Sequence, residues 1–138
     1  MNEAEAVREA YMNAVLNEDP ESAIAQYADD TCRFPSGPNW FVHGVEEVRK
    51  EWSEWTDHPP VRYRAFRWVD GPYGEVEGSL AWIAGVLEQD YDSEHGPMSR
   101  QIRVSMILRK EADGWRIAME HNSRPSSTPY EPGESKYR

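Results

Sequence analysis

The 138-residue sequence has a single cysteine, Cys32, and few basic residues. One cysteine excludes an intramolecular disulfide framework and a zinc site built from several cysteines. Lysine and arginine number 15 against 25 aspartate and glutamate residues, so the formal net charge is -10. Because nucleic acids and anionic membrane surfaces attract basic proteins, this balance argues against either partner.

Long hydrophobic runs are also absent. No apolar stretch approaches the ~18 residues that a membrane-spanning helix needs. The opening segment MNEAEAV has no basic region followed by an apolar run, so no signal peptide is expected and a cytoplasmic location is predicted. His43, His58 and His95 have no partner at ligand spacing, so no metal site is expected. No cofactor is expected either.

Aromatic residues, by contrast, are abundant: six Trp, seven Tyr and three Phe make up 12% of the chain. Disordered acidic chains are poor in aromatics, so the composition favours a folded domain. The length suits one domain, which we place at residues 1–125. The segment 126–138 contains Pro, Ser and Gly and is expected to be a flexible tail.

Helical patterns come first along the chain and strand patterns follow. Asn2 and Glu5 resemble a capping box, Asp19-Pro20 is typical of a helix start, and a third apolar helical stripe begins at Val45. A small hairpin is expected from 31–34 and 40–43. Later strands are separated by predicted turns at 71–74 and 112–114 and by a polar loop at 90–97. This order predicts an α+β fold, in which three helices pack on one face of a strongly curved antiparallel sheet. Such a cone has an open end suited to a small molecule.

The last predicted hairpin carries a recognisable motif. It consists of Arg103, Ser105, the Asp113-Gly114 turn, Trp115 and the pattern His121-x-Ser123-x-Pro125. This motif resembles the closing hairpin of SnoaL-like domains, which belong to the nuclear transport factor 2-like superfamily and are related to ketosteroid isomerases. The segments FVHGVEEVRKEW at 41–52 and SLAWIAG at 79–85 resemble a helix entry and a strand of the same family.

The resemblance implies an α+β cone that forms a homodimer through the outer face of its sheet. It leaves the activity open, because the superfamily includes isomerases, epoxide hydrolases, dehydratases, polyketide cyclases and non-catalytic domains.

Two residues of the last strand are the candidates for acid–base catalysis. His121 is one, because imidazole suits proton transfer near neutral pH. Its structural alternative is a hydrogen bond to a neighbouring carbonyl or a contact at the dimer face. Glu120 is the other, and its structural alternative is an ion pair with Arg103 across the hairpin. Side chains alternate along a strand, so Glu120 and Asn122 should lie on the face opposite His121. Trp115, Ile117 and Met119 are expected on the His121 face, and the sequence leaves open which face lines the pocket.

The aromatic excess predicts an apolar cavity for a small hydrophobic, ring-containing ligand. Candidate ligand-binding residues are Tyr27, Trp40, Trp52, Trp55, Trp82, Arg103, Met106 and Asn122. The four Trp residues would form walls, and Tyr27 or Asn122 would donate a hydrogen bond. The protein is then either a cofactor-independent isomerase, dehydratase or cyclase, or a non-catalytic module for ligand binding or dimeric assembly.

Overall fold

The computed structural model describes residues 2–57 and 61–125. This part of the chain forms three helices and six strands. The elements are α1 (Glu3–Leu16), α2 (Pro20–Ile24), β1 (Tyr27–Phe34), β2 (Val42–His43), α3 (Val45–Asp57), β3 (Val61–Glu77), β4 (Leu80–Ser93), β5 (Gly96–Glu111) and β6 (Gly114–Ser123).

The helix starts follow the local sequence signals. The Asn2 side chain accepts a hydrogen bond from the Glu5 backbone N–H at 2.8 Å, and the Glu5 side chain bonds back to the Asn2 N–H. This capping box confirms the predicted start of α1. Asp19 caps α2 by accepting from the Ser22 N–H, with Pro20 at the first helical turn.

The six strands form one open, curved sheet in the order β2-β1-β6-β5-β4-β3. The α+β cone predicted from the sequence is confirmed. One pairing differs from the prediction, because β1 runs parallel to β6 while the other neighbours are antiparallel. Those two strands are far apart in the chain, so no hairpin turn fixes their relative direction.

Two predicted connections are wrong. Segment 71–74 is no turn, because β3 continues through it to Glu77 with register shifts on either side of Asp70. The chain reverses instead at Gly78, whose positive φ of 62° favours glycine. The predicted polar loop at 90–97 is largely strand, since residues 90–93 pair with 96–99. Pairing between the two strands gives the backbone N–H and C=O groups of this segment their hydrogen-bond partners.

A β-bulge near the middle of β6 decides which residues face the core. Met119 pairs with Ile107 and Ile117 pairs with Leu108, so Ala118 is an extra residue on β6. Such an insertion shifts the alternation of side chains by one residue.

As a result, Trp115 and Ile117 are buried on the same face as Glu120 and Asn122. The prediction that Trp115 and Ile117 share a face with His121 is therefore wrong. The inner face of β6 is the one that carries Glu120, and α1 packs against it.

Candidate ligand-binding site

A cavity of about 520 Å³ lies between α1, α3, the 35–39 segment and the inner face of the sheet. Its apolar lining includes Tyr11, Met12, Val15, Trp52, Phe66 and Ile102. Polar side chains line it as well, and they form two separate groups, one beside β6 and the other at the β4–β5 hairpin.

The first group surrounds Glu120, which has no exposed surface. Its Oε2 accepts a hydrogen bond from an Arg8 guanidinium N–H at 2.5 Å. Its Oε1 accepts from the Tyr27 hydroxyl at 2.6 Å and also from Arg33. Arg33 in turn donates from Nε to Glu51 at 2.9 Å. Glu120 thus connects α1, β1 and β6, and the Arg33–Glu51 pair adds α3 to the cluster.

The electrostatics of this cluster hold Glu120 ionised. Burial alone raises the pKa of a carboxyl group, but the Arg33 and Arg8 guanidiniums and the Tyr27 hydrogen bond outweigh that effect. The pKa of Glu120 therefore lies below its ordinary value. Burial raises the pKa of the Tyr27 hydroxyl well above its ordinary value, so it stays protonated and donates.

Aromatic contacts hold Arg8 and its neighbours in place. The Arg8 guanidinium lies 5.2 Å from the Tyr11 ring centroid, within cation–π range. Tyr11 and Tyr27 meet edge to face with their centroids 5.6 Å apart. Arg8 and Tyr11 line the cavity, whereas Glu120 and Tyr27 lie behind them.

The second polar group is centred on Arg100 of β5. Its Nε donates to the Gln89 side-chain oxygen at 2.8 Å, and a terminal N–H donates to the Tyr63 hydroxyl at 2.7 Å. Its guanidinium also lies 5.1 Å from the Tyr91 ring centroid. Gln89 and Arg100 are directly paired across β4 and β5, which brings both to the inner face.

Two lining side chains have a buried polar atom without a hydrogen-bond partner among the described residues. They are Arg8, at Nε, and Asn122, at Oδ1. Asn122 is 8% exposed and pairs across the sheet with Val104. A buried polar group without a partner is costly unless a ligand or water completes it, so these atoms mark positions where a ligand could bind.

The structure brings only part of the predicted set to the cavity. Trp52 and Asn122 line it, and Glu120 and Tyr27 lie directly behind its wall. The Glu120–Arg103 ion pair expected as an alternative is not formed, because Arg103 is on the outer face and donates to Ser123.

The remaining predicted residues lie elsewhere. His121 is exposed on the outer face of β6, with its ring 5.3 Å from that of Phe34. Trp82 and Trp40 are 43% and 42% exposed and do not line the cavity, and Met106 is buried in the core. The Trp55 side chain lies outside the described part of the structure.

Sequence reasoning missed the arginines of the site, although the pattern contains a signal for two of them. Arg8 falls on the same helical stripe as Ala4, Tyr11 and Val15, so it is a charged residue on a buried face. Arg100 continues the inward alternation of Ile102 and Val104 on β5. A charge at a core position needs a partner, which is a reason to suspect a site.

The described residues contain neither a metal-ligand cluster nor a membrane-spanning helix. Within 2–57 and 61–125, no three His, Cys, Asp or Glu side chains are grouped so that they could hold a metal ion. None of the helices in this part of the chain is long and apolar enough to cross a membrane.

The open cone, its helical cover and the cavity between them define a nuclear transport factor 2-like α+β domain. Within this class the chain belongs to the SnoaL-like domain family, whose pattern matches residues 4–127. Domains of this kind typically bind small ligands. A search of curated protein sequences found no match.

Solved structures share the fold at low sequence identity. A ketosteroid isomerase-like protein from Erwinia carotovora atroseptica SCRI1043 is 20% identical with a TM-score of 0.73, covering 88% of this chain and 93% of its own. A nuclear transport factor 2-like protein of unknown function from Pseudomonas putida KT2440 is 21% identical with a TM-score of 0.75, covering 97% and 94%. A Catenulispora acidiphila protein in complex with S-DNPA is 17% identical with a TM-score of 0.71, covering 88% and 90%.

Proposed function

We propose that this domain binds a small, ring-containing molecule in the cavity between α1, α3 and the sheet. The observation that carries the proposal is the pair of buried, unpartnered polar atoms, Asn122 Oδ1 and Arg8 Nε, on side chains that line the cavity. A volume of about 520 Å³ lies within the range of small-molecule sites. A similar fold in complex with S-DNPA adds support.

The walls suit a flat apolar body with a polar edge. Trp52 and Phe66 offer aromatic surface, and Met12 and Val15 complete the apolar wall on α1. Aromatic faces pack well against rings in offset or edge-to-face geometry. A polar edge of the ligand would then meet Asn122 and Arg8, which restores the hydrogen bonds that these side chains lack.

Glu120 fits the role of an anchor better than that of a general base. A base works best when its pKa lies near the working pH, and the pKa of Glu120 is lowered. Both of its oxygens already accept hydrogen bonds, from Arg8 on one side and from Tyr27 and Arg33 on the other. Its part in the site is to position Arg8 at the cavity wall.

The geometry therefore favours ligand binding over acid–base catalysis. His121 faces away from the cavity, and Glu120 reaches it only through its arginine partners. A cofactor-independent isomerase, dehydratase or cyclase reaction stays a prediction, and turnover of an identified ligand would support it.

Filling the cavity tests the proposal. We expect Met12→Trp to abolish binding of 2-naphthoate and 2-naphthamide, because an indole in place of the buried Met12 side chain occupies the space between α1 and Trp52. Isothermal titration calorimetry of both compounds against the unmodified protein and the variant measures the loss. Binding of at least one compound to the unmodified protein is expected to be millimolar or tighter.

Ala10→Trp is the matched control, since Ala10 lies on the exposed side of the same helix. It adds the same side chain outside the cavity and should leave binding unchanged. Unaltered affinity in Met12→Trp contradicts the proposal, and so does an unmodified protein that binds neither of these compounds nor their amine analogue 2-naphthylmethylamine. Circular dichroism of both variants establishes that the fold is retained.

A further inference from the structure

The arginines around the cavity differ in whether a carboxylate neutralises their charge. The Arg8 and Arg33 guanidiniums share the carboxylate of Glu120, and Arg33 also pairs with Glu51. These two cations therefore meet two carboxylates within the described structure, and their charges cancel locally. Neither guanidinium therefore offers an unneutralised charge to a ligand.

Arg100 is different, because the partners that the described residues give it are all neutral. It donates to the Gln89 amide and the Tyr63 phenol, and it lies over the Tyr91 ring. No ion pair of the described side chains includes it, whereas Arg64 and Arg67, exposed on β3, pair with carboxylates on β4. Glu54, the remaining carboxylate at the cavity, is exposed on α3.

The surroundings of Arg100 also fix its geometry. Gln89 is 7% exposed and accepts from Nε, while the Tyr63 hydroxyl accepts from a terminal nitrogen. A planar guanidinium held by neutral acceptors keeps its full charge and remaining N–H donors for a further partner. Such a fork matches a carboxylate, to which it can donate two parallel hydrogen bonds.

Arg100 lies at a distance from the unpaired polar atoms that suits a small ring system. Asn122 pairs with Val104 of β5. Val104 is four residues from Arg100 along this strand, and at the usual rise per residue the strand covers about 13 Å between them. Ile102, on the same inner face, lies between them and is buried. The site thus offers a cation at one end, an apolar middle and an unpaired amide at the other end.

We infer that the ligand class is a ring-containing carboxylate whose anionic group pairs with Arg100. The inference rests on the proposed function, since it specifies the charge of the molecule that the same cavity binds. The ring lies over Ile102 between α1 and the sheet, and the edge remote from the carboxylate hydrogen-bonds with Asn122. The overall charge of -10 would repel such an anion at long range, so the local cation at Arg100 is what selects it.

A set of three probes of one shape tests the inference. These are 2-naphthoate, 2-naphthamide and 2-naphthylmethylamine, which present a negative, a neutral and a positive group on the same ring. We expect 2-naphthoate to bind about tenfold or more tightly than 2-naphthamide, as measured by calorimetry, and the amine to bind least.

The Arg100→Gln variant removes the charge while keeping a hydrogen-bonding side chain. It should lower the affinity for 2-naphthoate to that for 2-naphthamide and leave the amide affinity unchanged. Arg64→Gln is the control, because Arg64 pairs with Asp92 in an exposed salt bridge and does not line the cavity. It should keep the preference for the acid.

The outcomes separate the two proposals. Equal binding of acid and amide, tighter binding of the amine, or an unchanged preference in Arg100→Gln overturns the carboxylate inference and leaves ligand binding intact. Failure of all three probes to bind overturns the proposed function as well. If Arg100→Gln does not fold, the three-probe comparison in the unmodified protein still decides the inference.

Discussion

The residue on which the site depends most is Glu120, a fully buried carboxylate held by two arginines and a tyrosine. Its neighbours come from two other elements, so a single side chain connects α1, β1 and β6. Removing one member of a buried charge network leaves the others desolvated without compensation. We therefore expect the loss of Glu120 to lower the stability of the fold, independently of any role in catalysis.

We expect Glu120→Gln to lower the free energy of unfolding by about 3–5 kcal/mol at neutral pH, because Arg8 and Arg33 lose their shared counter-charge. Urea unfolding followed by fluorescence measures the change. Glu111→Gln serves as the comparison, since the Glu111–Arg109 pair is partly exposed and should contribute only about 0–1 kcal/mol. Equal stability of the two variants would contradict the anchor role.

The same carboxylate predicts a pH dependence. Because the folded-state pKa of Glu120 lies below the ordinary value of 4.5, its contribution to stability is fully present above that value. The contribution is lost as the pH falls through the folded-state pKa. The unmodified protein should therefore lose stability more steeply in acid than Glu120→Gln, and parallel urea curves for the two proteins across acidic pH would refute this.

At the scale of elements, the bend of β3 against β4 depends on Gly85. The register shifts of β3 on either side of Asp70 lie opposite residues 84–87 of β4, which include Gly85. A Cβ at position 85 would lie 2.6 Å from the Asp70 carbonyl oxygen and 2.8 Å from the Trp68 ring. Glycine thus lets Trp68 pack directly on the neighbouring strand, and Trp68 in turn packs against the core.

Gly85→Ala is expected to destabilise the protein by about 1–3 kcal/mol, because backbone and an indole ring must both move to admit the methyl group. Thermal or urea unfolding measures the effect. Gly37→Ala is the matched control, since a Cβ there would meet nothing within 4 Å. A Gly85→Ala protein as stable as the Gly37→Ala protein would show that the sheet bends without this close approach.

For the whole molecule, the outer face of the sheet is the largest feature that the cavity does not explain. It carries exposed Leu80, Trp82 and Ile107, at 53%, 43% and 40%, and Trp82 is paired directly with Ile107. Contiguous exposed apolar side chains mark interaction surfaces. We propose that this face is buried in a homodimer, in line with the expectation from the family resemblance.

The dimer proposal predicts that Trp82→Glu yields a monomer, because a carboxylate at the centre of an apolar interface loses its hydration without a partner. Light scattering at micromolar concentration gives the mass. Ala10→Glu adds the same charge to an exposed position of α1 and should remain dimeric. A monomeric mass for the unmodified protein rules out the proposal.

Much of the fold could be predicted because it depends on local patterns. The capping box at Asn2, the Asp19-Pro20 helix start and the tight turn after Glu111 all form between residues that are near in sequence. The prediction of a turn at 71–74 is wrong because pairing with a neighbouring strand overrides the local preference. Its residues favour turns, yet pairing with β4 supplied more backbone hydrogen bonds than a local turn would.

The sequence by itself determined most of the elements, the fold class and the family, because periodicity, caps and motifs act over a few residues. Only the tertiary structure decided the site. The Ala118 bulge turned Trp115 and Ile117 to the same face as Glu120, and a contact across 112 residues brought Arg8 to that carboxylate. Register and long-range charge pairing depend on how whole elements pack, so no short pattern contains them. That packing also left Arg100 with neutral partners at the cavity, although the chain as a whole is acidic.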